Sequence, residues 1–223
     1  MDNVQYVDDE ESSDGVEVRG FPSLEELLLG NLPNLERLLK VETGEIFPCL
    51  SKLAIVGFPK LGLPCLSSFK ELTVDGCNSE LLESISSFYG LITLEINRGE
   101  DVTYFPKGML RNLTCLRTLE ISDFPKVKAF PSEVFNLALE HLGIHHCCEL
   151  DSLPEQLFEG LRSLQTMEIA FCERLRCLPE DIQHLTSLEV LTIYGFPALP
   201  ERCKEGIGED WDKIEHIPKL SIN

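Results

Sequence analysis

Residues 139–147 read LEHLGIHHC, and this stretch decides the fold because its spacing recurs along the chain. Its anchors, Leu139, Leu142, Ile144 and Cys147, follow the pattern L-x-x-L-x-I-x-x-C. Similar stretches begin at Leu24, Leu50, Phe69, Leu91, Leu116, Leu164 and Leu188. The first anchors of successive copies lie 19 to 26 residues apart. A period in the low twenties with this signature indicates a leucine-rich repeat.

Each copy predicts a short strand whose two apolar residues face one side, because side chains alternate along a strand. One unit cannot cover its own apolar side, so the units are expected to stack and share a core. The predicted fold is an α/β leucine-rich-repeat solenoid, a horseshoe with a parallel sheet on the concave face. Irregular loops and short helices are expected on the convex face. Several back segments open with proline, at 105–113, 130–137, 153–161 and 178–185, and short helices or 3₁₀ turns are expected there, whereas the back segments before residue 91 should be irregular.

The repeats divide the chain into three parts. Residues 1–20 form an acidic N-terminal segment or the remnant of a preceding repeat, and residues 21–200 hold eight leucine-rich repeats. Residues 201–223 are expected to form a C-terminal cap, since a solenoid needs its open end covered. Trp211 and the isoleucines that follow it are the apolar residues available for that purpose.

Four residues with ligand-type side chains, His145 to Cys148, stand in a row and raise the question of a metal or redox site. Contiguous residues on an extended chain diverge, whereas tetrahedral zinc needs ligands that converge across short spacers. Cys147 also occupies the repeat position that Cys77 and Cys172 occupy in their own copies, where the chain turns inward. We therefore predict that these cysteines are reduced packing residues, and that the chain holds no metal and no cofactor.

The composition argues against several partners. The chain has 223 residues, with 38 Asp and Glu against 19 Lys and Arg, and a formal net charge of −19. Such a surface repels phosphate backbones and anionic lipids, so no nucleic acid is expected as a partner. No apolar run approaches the ~18 residues of a membrane span. P-loop, HExxH, GxSxG and GxGxxG motifs are absent, so neither an enzyme nor a small-molecule substrate is expected.

The concave face is where a repeat protein usually binds its partner. Counting along the repeat frame places charged, histidine and aromatic side chains there. A polypeptide partner that carries basic groups would fit this surface. The residues proposed to contact it are Glu95, Arg98, Glu120, His141, His145, His146, Glu168, Phe171 and Tyr194.

Two stretches resemble a known family: FCERLRCLPEDIQHLTSLEVLTIYGFPAL (171–199) and ERCKEGIGEDWDKIEHIPKL (201–220). Both look like the C-terminal leucine-rich-repeat region of plant nucleotide-binding leucine-rich-repeat disease-resistance proteins of the coiled-coil class. The resemblance extends over essentially the whole chain, and the second stretch is its most specific part.

This resemblance implies a recognition and autoinhibition module of an immune receptor in the cytoplasm, or in the cytoplasm and nucleus. The implied partners are the nucleotide-binding domain of the same receptor and a pathogen effector or guarded host protein. That nucleotide-binding domain, with its P-loop, is not in this sequence, which indicates a fragment, a truncated product or the repeat portion of a longer protein. The alternative is a free-standing adaptor, such as a substrate-recognition module of a ubiquitin ligase.

Overall fold

The computed structural model describes residues 21–30, 47–57, 63, 69–130 and 138–223. Within them, nine strands form one parallel sheet in chain order, as the repeat pattern predicts for its eight copies. The strands are β1 (Glu26–Gly30), β2 (Lys52–Val56), β3 (Glu71–Asp75), β4 (Thr93–Asn97), β5 (Thr118–Ser122), β6 (His141–His145), β7 (Thr166–Ala170), β8 (Val190–Tyr194) and β9 (Lys219–Ile222). The acidic segment 1–20 lies outside the described residues, as do most of the early back segments and residues 131–137.

The second and fourth residues of strands β2 to β8 form the core. Leu142 pairs in register with Met167, and Met167 pairs with Leu191, so equivalent positions stack without a shift. All three are at most 3% exposed, and Ile144 and Ile169 in the neighbouring column are fully buried. The stacked columns explain why the repeat tolerates little besides apolar residues at these positions.

The residue directly after each strand from β2 to β8 has a positive φ. We call this position the rim position, since it lies where the chain leaves the concave sheet. It is occupied by Gly57, Gly76, Arg98, Asp123, His146, Phe171 and Gly195, with φ between 52° and 99°. At the first six of these, the backbone N–H donates to the carbonyl of the last residue in the next strand, at 2.8–3.1 Å. The hydrogen bonds continue the sheet into the turn.

The back segments are partly helical. Short 3₁₀ turns at Glu155–Leu157 and Glu180–His184 follow prolines, as predicted. Residues 105–113 form turns without a helix, so the prediction is wrong there, and residues 131–137 lie outside the described part of the chain. The segment before residue 91 was expected to be irregular, and between β3 and β4 this expectation is wrong. Helix α1 (Ser79–Ser84) begins there because the Asn78 side chain accepts a hydrogen bond from the Leu81 N–H, at 2.7 Å. Such an N-cap stabilises a helix start that the irregular repeat spacing did not reveal.

One irregular copy of the repeat has a packing explanation. Gly99 stands where other copies carry a bulky residue, and it is buried. A Cβ at Gly99 would lie 2.2 Å from the ring of Phe124, the equivalent residue of the next repeat. Phe124 is itself fully buried, so its ring fills the space that Gly99 leaves.

Two short helices and β9 follow the last repeat: α2 (Leu199–Arg202) and α3 (Trp211–Ile214) precede the strand. Ile214 and Ile217 are buried, and Trp211 packs against the core while partly exposed. The sequence pattern did not predict β9, which pairs with β8 and extends the sheet. Whether residues 201–223 act as a separate cap stays a prediction. Among the described residues, no helix has the length and apolar character needed to cross a membrane.

Candidate protein-recognition site on the concave face

The structure places the predicted contact residues on strands β4 to β8 and at the rim position. Glu95, Glu120 and Glu168 are the third residues of their strands, and His141 and His145 flank the third residue of β6. Arg98, His146 and Phe171 occupy rim positions. Eight of the nine residues lie in one continuous region. Arg98 turns away from it and pairs with Asp75 of β3.

Glu120 belongs to a network of hydrogen bonds and close charge contacts that joins four strands, β5 to β8. Its Oε1 is 2.5 Å from His141 Nε2, and its Oε2 is 3.2 Å from His145 Nε2. The second carboxylate of the network, Glu168, accepts a hydrogen bond from the Tyr194 hydroxyl at 3.0 Å and lies 3.9 Å from His145 Nδ1. We call these five residues the histidine network. They are partly buried and held by one another, so they are more ordered than separate solvated side chains.

Gly143 makes room for this arrangement. It lies opposite Glu120 in the register of β5 and β6, and it is buried beneath the carboxylate. A Cβ at position 143 would be 1.7 Å from Glu120 Oε2. Gly143 was not among the residues predicted from the sequence, although a glycine inside a strand often marks a place where another group approaches the backbone closely.

The network shifts the pKa of its own members. Partial burial alone would raise the pKa of Glu120, but the hydrogen bonds with His141 and His145 outweigh it and lower the pKa to about 2. The hydrogen bond with Glu120 raises the pKa of both His141 and His145 above the usual 6.5. Protonation of both rings balances the charges of Glu120 and Glu168, and their deprotonation leaves this part of the face anionic.

An aromatic group stands beside the network at the rim. The rings of His146 and Phe171 stack with centroids 4.6 Å apart and planes 13° apart. Phe171 also meets Tyr194 edge to face at 5.1 Å. Phe171 remains 40% exposed although its ring is held on two sides. Gly195, at the next rim position, provides the space, since a Cβ there would lie 2.4 Å from the Phe171 ring.

An open groove lies next to the histidine network, toward β4. It has a volume of about 360 Å³ and is lined by Glu95, Asn97, Glu120, Ser122, His145 and His146. We call it the Glu95 groove. Ser122 donates a hydrogen bond to the side-chain oxygen of Asn97 at 2.6 Å, which fixes one wall. Asn97 and Ser122 were not among the residues predicted from the sequence, because their short polar side chains carry no distinctive signal.

The side chains in the row from His145 to Cys148 lie in different surroundings. Cys147 is fully buried and its thiol donates to the His145 carbonyl at 3.5 Å, whereas Cys148 is exposed. Cys172 is also buried and donates to the Ala170 carbonyl at 3.4 Å. The neighbouring Cys172 thiol and burial both raise the pKa of Cys147. Across the described residues, no group of three or more His, Cys, Asp or Glu side chains is arranged to hold a metal ion.

Comparison with known proteins gives relatives of one kind. The chain is 41% identical over 223 residues to RGA4 of Solanum bulbocastanum, a match that covers 99% of the chain and 23% of the relative. It is 39% identical over 203 residues to RGA2 of the same species, covering 91% of the chain and 19% of the relative. Both relatives are named as disease resistance proteins. The chain's relatives are plant disease resistance proteins.

A more distant relative has a name of the same kind. The TMV resistance protein N of Nicotiana glutinosa is 28% identical over 189 residues, which cover 79% of the chain and 16% of the relative. The chain thus spans about a fifth of the length of the curated relatives it matches. No protein-family model matches it.

A solved structure confirms the fold. The chain superposes on the leucine-rich-repeat domain of the type III effector XCV3220 (XopL) with a TM-score of 0.58 and 19% sequence identity. The match covers 91% of this chain and 77% of that one. Together with the in-register parallel sheet, it identifies the fold as a leucine-rich-repeat solenoid.

Proposed function

We propose that this chain is the protein-recognition and autoinhibition module of an intracellular plant immune receptor of the nucleotide-binding leucine-rich-repeat class. One observation carries the proposal: the 41% identity to a plant disease resistance protein extends over 99% of the chain. The module takes part in the defence response by sensing a pathogen effector directly or through a guarded host protein. It catalyses no reaction of its own.

The geometry of the concave face supports binding of a protein. Phe171 and Tyr194 offer partly exposed aromatic surface whose orientation is already set by ring contacts. Preset aromatic side chains lose little conformational entropy on binding, and they supply much of the energy of protein interfaces. Effector specificity is therefore assigned to the region around His145, Phe171 and Tyr194. The free-standing adaptor considered from the sequence has no comparable support among the relatives.

The position of the module in the receptor is also part of the proposal. We assign it to the C-terminal region of a receptor of the coiled-coil class, where it contacts the nucleotide-binding domain and restrains it. The acidic surface contributes to that contact, since the net charge of the chain is −19. The receptor acts in the cytoplasm, or in both the cytoplasm and the nucleus.

Co-purification in trans tests the proposal. The chain is expressed in leaves together with RGA4 from which the matched segment, 23% of its length, has been removed. We expect the two to co-purify at low salt and less at high salt, because salt screens charge contacts. Ile169→Asp serves as the unfolded control, since Ile169 is fully buried. Absence of association at every salt concentration would count against the receptor function.

A second arm separates recognition from folding. Alanine at His145, Phe171 and Tyr194 should alter recognition in a leaf defence assay while the thermal unfolding midpoint changes little. Leu191→Ala, in the buried column, should lower the midpoint and impair both association and recognition. Equal loss of stability in both variants would contradict the assignment of recognition to the concave region.

A further inference from the structure

Glu95 in the Glu95 groove is a carboxylate without a cationic partner among the described residues. Its Oε2 accepts a hydrogen bond from the Thr73 hydroxyl at 3.3 Å, and no described Lys or Arg forms an ion pair with it. Glu26 and Glu71 on the same face differ from Glu95. Lys52 lies between Glu26 and Glu71, at 3.8 and 3.3 Å.

Glu95 and Glu120 are also direct partners in the register of β4 and β5. The histidines contact Glu120 from the side of β6, whereas Glu95 Oε2 accepts from Thr73 on the opposite side, in β3. Both carboxylates line the groove, so a cation that enters it would meet both.

The groove has room for a side chain. Its volume of about 360 Å³ lies at the lower end of the ~300–1,000 Å³ range of ligand sites. Its walls are polar, and two basic rings line it: His145, which contacts Glu120 through Nε2, and His146, which stacks on Phe171. The groove thus offers acceptors, and the chemistry that fits it is a cation with several N–H donors.

The rim of the groove adds a flat surface. His146 lines the groove and stacks on Phe171. Both residues have φ near 53°, a conformation that the equivalent Gly57, Gly76 and Gly195 adopt without a side chain. Arg98 and Asp123 share this φ at their own rim positions, so it is a feature of the repeat and not of the groove. The aromatic pair is suited to cover a planar cation, since guanidinium groups stack on aromatic rings.

We propose that the Glu95 groove binds an arginine side chain of a protein partner, with its guanidinium between the Glu95 and Glu120 carboxylates and beside the His146–Phe171 pair. This assignment rests on the proposed function as a recognition module and names the chemistry that the module recognises. Arginine fits better than lysine, because its planar fork of donors matches carboxylates and stacks on rings, whereas an ammonium is a compact point charge.

Selection of peptides provides the probe. A phage-displayed library of random dodecapeptides is selected on the full chain, and the enriched peptides are synthesised with a fluorescent label. We expect the enriched sequences to share an arginine. For such a peptide, replacement of that arginine by citrulline, which keeps the shape and removes the charge, should weaken binding at least about tenfold in fluorescence anisotropy. Replacement by lysine should weaken it less.

Variants of the chain locate the contact. Glu95→Gln should weaken binding of the arginine peptide to a similar extent. In this variant, replacement of the arginine by citrulline should change the affinity little, because the charge pair is already lost. Phe171→Ala should also weaken binding. Glu159→Gln, which removes one exposed charge from the back of the solenoid, and Tyr104→Ala, which removes one exposed ring elsewhere, are the matched controls and should change nothing.

Enriched peptides without arginine, equal binding of the lysine peptide, or unchanged binding by Glu95→Gln would each overturn the assignment. These outcomes are separable from a failure of the proposed function. If the chain still co-purifies with the rest of RGA4 and supports defence, only the arginine assignment is lost.

Discussion

The carboxylate of Glu120 lies over Gly143, its register partner on the neighbouring strand. This position lets Glu120 reach His141 and His145, which lie two residues before and two residues after Gly143 on the same face of β6. Any side chain at residue 143 would occupy the space that the carboxylate fills. The histidine network therefore depends on the absence of one Cβ atom.

Replacing Gly143 with alanine should uncouple the network without unfolding the protein. The clash falls on the end of a flexible side chain, so Glu120 can rotate away and the free energy of unfolding should change by no more than about 1 kcal/mol. The pKa of His141 and His145 should fall back toward 6.5, as followed by NMR titration of the ring protons. Gly30→Ala, where nothing lies within 4 Å of the added atom, is the control. Unchanged histidine titration in Gly143→Ala would contradict this view of the network.

The fold was predictable because the repeat spacing reflects which residues of each strand must be buried. Each copy has apolar residues at the positions equivalent to Leu142 and Ile144, and alternation along a strand places both positions on the buried side. Helix α1 was not predictable from the period, since it depends on a local cap, Asn78, and on Leu81 and Leu82 facing the core. β9 was missed because its strand is short and lacks the anchor pattern of the repeats.

The candidate site was predictable only as a set of positions. The repeat frame placed Glu120, His145 and Glu168 on the concave face, where the structure has them. The frame could not show which of them touch, because partners more than 20 residues apart meet through side-chain rotamers and the space left by Gly143. Their role in binding a protein stays a prediction.

Gly195→Ala should destabilise the last repeats and displace Phe171. Gly195 has φ +78°, which costs an alanine roughly 1 kcal/mol or more, and the new Cβ would lie 2.4 Å from the Phe171 ring. Gly206→Ala is the matched control, since its φ is +72° but nothing lies within 4 Å. Urea unfolding should show a larger loss for Gly195→Ala than for Gly206→Ala. Equal losses would mean that Phe171 moves away freely.

Among substitutions of charged residues near the C-terminus, Asp210→Asn should lower the free energy of unfolding most. Asp210 is fully buried, pairs with Arg202 at 2.9 Å and with Lys213 at 2.9 Å, and accepts from the Leu178 N–H. Its removal takes the buried counter-charge from Arg202 and Lys213, which keep only the exposed carboxylates of Glu209 and Glu180, and should cost about 2–3 kcal/mol.

Denaturant unfolding checks this expectation, with Asp212→Asn as the control because Asp212 is exposed and two residues away. A loss of the same size in both variants would contradict a specific role for the buried carboxylate.

Thiol labelling should divide the described cysteines into two classes. Cys77, Cys147 and Cys172 are buried, and burial raises the pKa of Cys77 to about 12, so little Cys77 thiolate forms at neutral pH. The hydrogen bond with Cys147 lowers the pKa of Cys172, so burial alone protects this thiol from reagents. These three should react slowly with iodoacetamide under native conditions, whereas Cys115 and Cys148 are exposed and should react first. Mass spectrometry of digested, timed samples gives the order. Early labelling of Cys147 would contradict the packing interpretation of the row of histidines and cysteines.

The histidine network should stabilise the fold most between pH 4.5 and pH 6.5. The pKa of Glu120 in the folded protein is about 2 instead of 4.5, so its contribution is present above pH 4.5 and is lost as the pH falls toward 2. The pKa of His141 and His145 is raised above 6.5, so their contribution is present below pH 6.5 and is lost as the pH rises through the raised values.

Unfolding free energies of the wild type and Glu120→Gln should therefore differ most between pH 4.5 and pH 6.5 and less on both sides. The difference between the two curves cancels groups outside the network, while Glu168 and Tyr194 remain beside the histidines in both proteins. A difference that grows steadily above pH 7 would have the wrong sign for this network.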